Sequence, residues 1–329
     1  MTQSENILEV HNLRKWFPVR TGIFSFFGES RYVRAVDDVS FNIREGDSLC
    51  VVGESGCGKT TLARTILRLI EPTDGQTFYR GENVYDMNRE ELSELRLQMQ
   101  MIFQNPFEVL DPRLPVSTLV GEGLKIHGLV EDEEELLEKV YVALDDVRLV
   151  PAQDFARRYT HELSGGQLQR VCVARSLILN PSLIIADEPV SMLDASIRTE
   201  VMNLMEDLKT EHGLTYIFIT HDLAQARYIG DHIIVMYLGR IAEMGEMEDV
   251  IQNPVHPYTK ALVSNVPIPD PDLERDRIML PGETPTPIDL PPGCRFRPRC
   301  QEIGDSCVEG EEPTLHEVSP GHWVACWNT

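Results

Sequence analysis

The 329-residue chain predicts an α/β fold built around a parallel sheet and closed by an irregular C-terminal extension. Three observations carry that prediction. Short apolar runs alternate with segments of helical periodicity. A glycine-rich loop joins one such run to a helix. The composition then shifts near residue 265, where eleven of the 21 prolines fall between Pro267 and Pro320.

Each element follows from its pattern. Residues 7–13 read as a short strand. Residues 32–43 read as a second, with Val39, Phe41 and Ile43 alternating with polar neighbours. Together they predict N-terminal antiparallel β-strands. Between them, residues 17–31 carry Ile23, Phe24, Phe26 and Phe27 and read as a hairpin excursion packed on the neighbouring strands, with contact to a partner or a membrane surface as the alternative. Residues 47–52 predict a buried strand, 53–58 a loop and 59–70 a helix. Residues 99–103 are a short apolar strand. The pattern is helical from 105 to about 161, and the acidic run 131–135 reads as a solvated helix start. Residues 167–179 and 194–211 predict helices, and 182–186 and 215–220 predict strands. Residues 232–237 and 240–244 form a closing hairpin around Gly239.

Thirty Lys and Arg stand against 53 Asp and Glu, a net charge of −23. Such a field repels nucleic acid and anionic lipid, so neither is an expected partner. Only six of the basic residues are Lys. Acid excess with scarce Lys resembles proteins of salt-rich cytoplasms; an ordinary acidic protein is the other reading. The apolar runs, such as 233–238, fall well short of the about 20 residues of a membrane span. Residues 1–10 hold two acids and no basic run, so no leader is expected.

Gly53, Glu54, Ser55, Gly56, Cys57, Gly58, Lys59 and Thr60, followed by Thr61, fit the phosphate-loop pattern G-x-x-x-x-G-K-[ST]. Glycines let several N–H groups point into one concavity, and the helix that follows adds its positive end. Lys59 supplies charge to the β- and γ-phosphates of a nucleotide, and the Thr60 hydroxyl can ligate Mg²⁺. Residues 183–186 are an apolar strand ending in Asp187 and Glu188. Asp187 can hold Mg²⁺, and Glu188 can polarise an attacking water as general base. Ser164, Gly165, Gly166 and Gln167 open a helix and form a second anion site, with Ser164 as an N-cap in the alternative reading.

Taken together these segments resemble the ATP-binding subunit of an ATP-binding cassette (ABC) transporter. Ser164 to Gln167 match its signature, Gln104 its glutamine loop, residues 191–194 its interface loop with Met192 where Ala is usual, and His221 its switch histidine. The loop Gly53-Glu-Ser-Gly-Cys-Gly, the segment His256-Pro-Tyr-Thr259 and the Cys-bearing tail resemble the oligopeptide/dipeptide importer subfamily. The resemblance implies a P-loop NTPase core over 1–264, an inserted helical subdomain at about 105–165, and a Pro-rich extension over 265–329.

The resemblance also implies roles. Phe17 stacks on adenine, with Trp16 as the alternative. Gln104 contacts Mg²⁺ and water, and His221 the γ-phosphate. Ser164 and Gly166 contact ATP on an opposite subunit, and Asp194 links the two sites. ATP and Mg²⁺ are the implied cofactors. The implied partners are a sister ATPase, two transmembrane permease subunits and an extracellular solute-binding protein, which places the chain at the cytoplasmic face of the plasma membrane. Competing readings are an importer of metal chelates or sugars, a non-transport ABC ATPase, or a metal-sensing regulator.

Cys294, Cys300, Cys307 and Cys326 crowd the tail. Four thiolates can enclose Zn²⁺ or a [4Fe–4S] cluster. The subfamily resemblance favours the cluster, and reduced thiols without metal are the remaining reading. Arg295, Arg297 and Arg299 could offset a cluster's charge or lie in solvent, and His316 and His322 could replace a Cys as ligand.

Overall fold

A computed structural model describes residues 6–19, 31–266, 277–288, 290, 292–308 and 310–329. The excursion aromatics Ile23, Phe24, Phe26 and Phe27 lie outside them. The chain separates into two compact units, residues 1–86 with 220–329, and residues 87–219.

In the first unit, β1 (Asn6–Pro18), β2 (Tyr32–Arg44), β4 (Asp74–Tyr79) and β5 (Glu82–Asn83) form an antiparallel sheet in the order β2-β1-β4-β5. Strand β3 (Ser48–Val52) is buried throughout and leads through the glycine loop into α1 (Lys59–Ile66). β3 pairs in parallel with β9 (His232–Tyr237), which turns at Gly239 into β10 (Arg240–Glu246). Helices α9 (Leu223–Ile229), α10 (Met247–Gln252) and α11 (Pro257–Ser264) complete the unit with the hairpin of β11 (His316–Ser319) and β12 (His322–Val324).

The second unit holds α2 (Arg89–Gln98), β6 (Met99–Ile102), α3 (Pro106–Val109), α4 (Val116–Ile126), α5 (Glu133–Asp146), α6 (Ala152–Ala156), α7 (Gly165–Leu177), β7 (Leu183–Asp187), α8 (Ala195–His212) and β8 (Thr215–Thr220). Strands β6, β7 and β8 are parallel, β7 in the middle. Every residue of β7 and β8 is buried, as continuous apolar runs in a parallel sheet covered on both faces require. The acidic run starts α5 as expected: the Asp132 carboxylate accepts from the Glu135 amide, and three acids fill the first turn.

Two expectations change. The first strand extends to Pro18, so Trp16 and Phe17 are paired with Arg34 and Val33 of β2. The extension is not wholly irregular. Gly321 turns β11 into β12, and β12 adds to the edge of β10 through Glu243↔Val324 and Met244↔Trp323. Three residues of alternating burial are too short a pattern to read from sequence. No helix among the described residues is long and apolar enough to cross a membrane.

Candidate active site

The glycine loop is shaped by what surrounds it. A Cβ at Gly53 would lie 2.3 Å from the Met236 carbonyl oxygen, and one at Gly58 would lie 2.0 Å from that of Ala35. Gly58 also has φ +111°, a left-handed conformation that side chains resist. The chain therefore passes β9 and β2 at backbone distance. Lys59 is buried, and its ammonium donates to the carbonyls of Gly53 at 2.7 Å and Glu54 at 3.0 Å, folded across the loop it follows. Ser55 and Gly56 are exposed at the loop tip, and Thr60 and Thr61 are half-buried at the start of α1. Cys57 is buried 3.8 Å from the Lys59 nitrogen, and burial pushes its thiol pKa up.

Glu54 is held at every polar group. Its amide donates to the Tyr258 hydroxyl at 2.9 Å. Its carboxylate takes both arms of the Arg299 guanidinium, at 2.5 and 3.0 Å, and a hydrogen bond from Thr284. Burial works to raise the Glu54 pKa, but these bonds outweigh it and hold the carboxyl below its usual range.

Phe17 is 38% exposed at the end of β1, with the Lys15 ammonium 5.0 Å above its ring. Trp16 is committed elsewhere: its indole N–H donates to Asp37 at 3.0 Å and the Arg34 guanidinium covers its ring. Of the two, Phe17 has the freer face. His221 is exposed directly after β8, before the Asp222 cap of α9.

In the second unit, β7 ends in buried Asp187. Glu188 follows with φ +46°, a left-handed conformation costly for a non-glycine residue. Hydrogen bonds hold it there. Its amide donates to the Ile219 carbonyl at 2.9 Å, its carbonyl accepts the Ser191 hydroxyl at 3.0 Å, and its carboxylate accepts the Gln104 side-chain amide at 2.9 Å. Gln104 and Glu188, 84 residues apart, are thus in direct contact.

Ser164 caps α7 in a reciprocal box with Gln167: the Ser164 hydroxyl accepts the Gln167 amide, and the Gln167 side chain accepts the Ser164 amide. Ser164 and Gly165 are exposed and Gly166 is buried. Asp194 sits exposed at the N-cap of α8, where its carboxylate makes no cap hydrogen bond.

All seven cysteines are free. Backbone amides donate to two of the tail thiols, Glu302 to Cys300 at 3.3 Å and Asn328 to Cys326 at 3.4 Å. Burial raises the thiol pKa of Cys294 to about 11 and pushes Cys300 and Cys326 up as well. Among the described residues, no three or more His, Cys, Asp or Glu are grouped to hold a metal ion.

Of the three arginines between the first two cysteines, Arg295 and Arg299 are buried, not solvated. Arg295 is buried on Asp37 at 2.9 Å and on Glu312, and donates to the Leu238 carbonyl. Arg299 takes Glu54, and Arg297 the carbonyls of Pro292 and Val308. His322 is paired with Glu243 at 2.7 Å and His316 with Thr329, so neither is directed at the thiols. Sequence reasoning missed Tyr258, Thr284 and Arg299 as neighbours of the loop. An arginine at every second position of a proline-rich segment was the available signal.

Residues 36–191 match the ABC transporter family model, and residues 242–307 match the C-terminal region of oligopeptide/dipeptide transporters. The chain is 46% identical to the oligopeptide transport ATP-binding protein AppF of Bacillus subtilis, covering 98% of this chain and 97% of AppF. It is 44% identical to the dipeptide transport ATP-binding protein DppF of Haemophilus influenzae, covering 98% and 96%. Among solved structures it resembles the dimeric ATP-binding cassette MJ0796 bound to ADP and Pi, with TM-score 0.63, 30% identity, 73% of this chain and 98% of that one.

Proposed function

The chain belongs to the oligopeptide/dipeptide group of ABC transporter ATP-binding proteins, and from that premise we propose that it hydrolyses ATP to drive peptide uptake. The observation that carries the enzymatic half is Glu188, held in a strained conformation with its carboxylate on Gln104. A side chain fixed in this way is pre-positioned to take a proton from an attacking water.

The other roles follow residue by residue. Gly53, Glu54, Ser55, Gly56, Cys57, Gly58, Lys59, Thr60 and Thr61 bind the phosphates, Lys59 by leaving its own loop carbonyls for them. The Thr60 hydroxyl, Gln104 and Asp187 are hard oxygen donors of the kind Mg²⁺ takes, and bound Mg²⁺ offsets phosphate charge. His221 contacts the γ-phosphate, and Phe17 the adenine. Ser164, Gly165, Gly166, Gln167 and Asp194 serve ATP held by the partner of an ATPase dimer. A sister subunit is the proposed partner, beneath two permease subunits fed by a solute-binding protein, at the cytoplasmic face of the membrane. The proposed division is a catalytic domain over 1–264, its helical part at about 105–165, and an extension over 265–329.

Glu188→Gln tests the enzymatic reading. It should keep ATP binding and lower turnover about 10²–10⁴-fold; near-parental hydrolysis would remove Glu188 as the base. Lys59→Ala should lose ATP binding. Reconstitution with the permease pair and a labelled oligopeptide tests the substrate class, with sugar and metal-chelate uptake as the contrary outcomes.

Cys294, Cys300, Cys307 and Cys326 are proposed to hold a [4Fe–4S] cluster, with zinc as the competing ligand. What supports it is donor chemistry: four thiols in one 33-residue segment, two of them receiving backbone amides, bonds of the kind that stabilise thiolate ligands. Anaerobic purification decides. About four iron per chain, lost in Cys294→Ser, supports the cluster. One zinc replaces it, and no metal returns the four residues to plain thiols.

A further inference from the structure

We propose that the C-terminal extension and the helix α11 before it are part of the nucleotide site: Arg299 of the extension through the Glu54 carboxylate, and Tyr258 of α11 through the Glu54 amide, are positioning residues for ATP binding. The inference rests on the ATP reading above and adds to it.

Glu54 is the second residue of the loop. Its carbonyl holds the resting Lys59, its amide is taken by Tyr258, and its carboxylate by Arg299 and Thr284. Three of these partners lie more than 200 residues away in sequence, within the same compact unit. The supports are themselves fixed. His256 caps α11 through Nδ1, which accepts the Tyr258 amide, and buried Glu243 accepts the amides of Val255 and His256. Phe296 then packs edge-on against Tyr237 at 5.1 Å and beside Tyr258 at 5.5 Å, anchoring the turn that ends in Arg299.

Charge gives the arrangement a consequence beyond shape. An unpaired carboxylate in a loop that must receive a polyanion repels it, and the repulsion is strongest where water is scarce. Arg299 is 6% exposed and binds Glu54 through two nitrogens, which cancels that charge with fixed geometry. Tyr258 accepts the Glu54 N–H and so fixes the orientation of that peptide within the loop.

The test is MgATP binding and steady-state hydrolysis by the full chain. Arg299→Ala should raise the ATP Kd and KM roughly tenfold with little change in kcat, an unpaired negative charge being felt in binding. Neutralising that charge should repair it: Arg299→Ala with Glu54→Gln should bind ATP more tightly than Arg299→Ala alone. Arg299→Lys, which keeps the charge but loses the fork, should fall between. Tyr258→Phe, which leaves the Glu54 amide without its acceptor, should weaken binding a few-fold. Parental affinity in a folded Arg299→Ala overturns the proposal. So does a double variant no better than the single, which would make Arg299 a support of the fold alone. If Arg299→Ala does not fold, Arg299→Lys decides, and parental affinity there is the overturning result. Failure of the parent chain to bind ATP would instead sink the ATP reading itself.

Discussion

Arg295 shows what a single buried charge does in this chain. It is 4% exposed, and its partner Asp37 is 3% exposed. Burial alone would raise the Asp37 pKa, but the Arg295 hydrogen bond and charge, helped by Arg240 and Arg34, hold it below the usual carboxylate value of 3.8. The folded pKa is depressed, so the pair's contribution is complete above the unfolded value and is lost as pH falls through the lower folded one. Arg295→Met leaves Asp37 and Glu312 without their main counter-charge, and should cost about 3–5 kcal/mol in urea unfolding at neutral pH. Adding Asp37→Asn should recover part of that loss; a double variant as unstable as the single would show that packing, not charge, was removed. None of this was legible in sequence, because 258 positions separate the partners. The phosphate-loop residues were legible, since their chemistry is contiguous.

At the scale of the element, α11 is a helix whose start depends on a neutral histidine. His256 is 3% exposed, and burial, with the Lys260 charge, drops its pKa to about 3. The Nδ1 that accepts the Tyr258 amide cannot do so once protonated. The unfolded chain takes up a proton near the ordinary pKa of about 6.5 while the folded chain resists it. Stability should therefore be complete above about pH 6.5 and fall as pH drops toward 3, by up to about 1.4 kcal/mol per unit from this group. His256→Asn, an acceptor cap without a titrating ring, should flatten the curve between pH 6.5 and 5; an unchanged slope would assign it to other groups. The helix illustrates a limit of periodicity. Eight residues starting with Pro257 are too few for a helical pattern to stand out, although the segment itself was marked by its resemblance to peptide-importer subunits. By contrast, β7 and β8 were read within a residue or two of their ends, because a parallel strand buried on both faces is a bare apolar run.

For the whole molecule, the net charge of −23 sets how stability responds to salt. Two opposing effects are screened together. Exposed ion pairs such as Arg80–Glu45 and Arg227–Glu248 weaken with salt, but each contributes little. The pairs that matter most, the buried Arg295–Asp37 and the partly buried Arg299–Glu54, are screened less. What remains is repulsion among 53 acids against 30 bases, which acts over the surface and is largely removed when the screening length falls from about 10 Å at 0.1 M to about 3 Å at 1 M. Relief of repulsion should therefore outweigh loss of surface pairs. The melting temperature should rise by roughly 3–5 °C between 0.1 and 1 M KCl. Sodium chloride at the same ionic strength should do the same, since screening depends on charge and not on the cation. A melting temperature that falls with KCl would mean that the exposed pairs act as a network and carry more of the stability than their separate geometry implies.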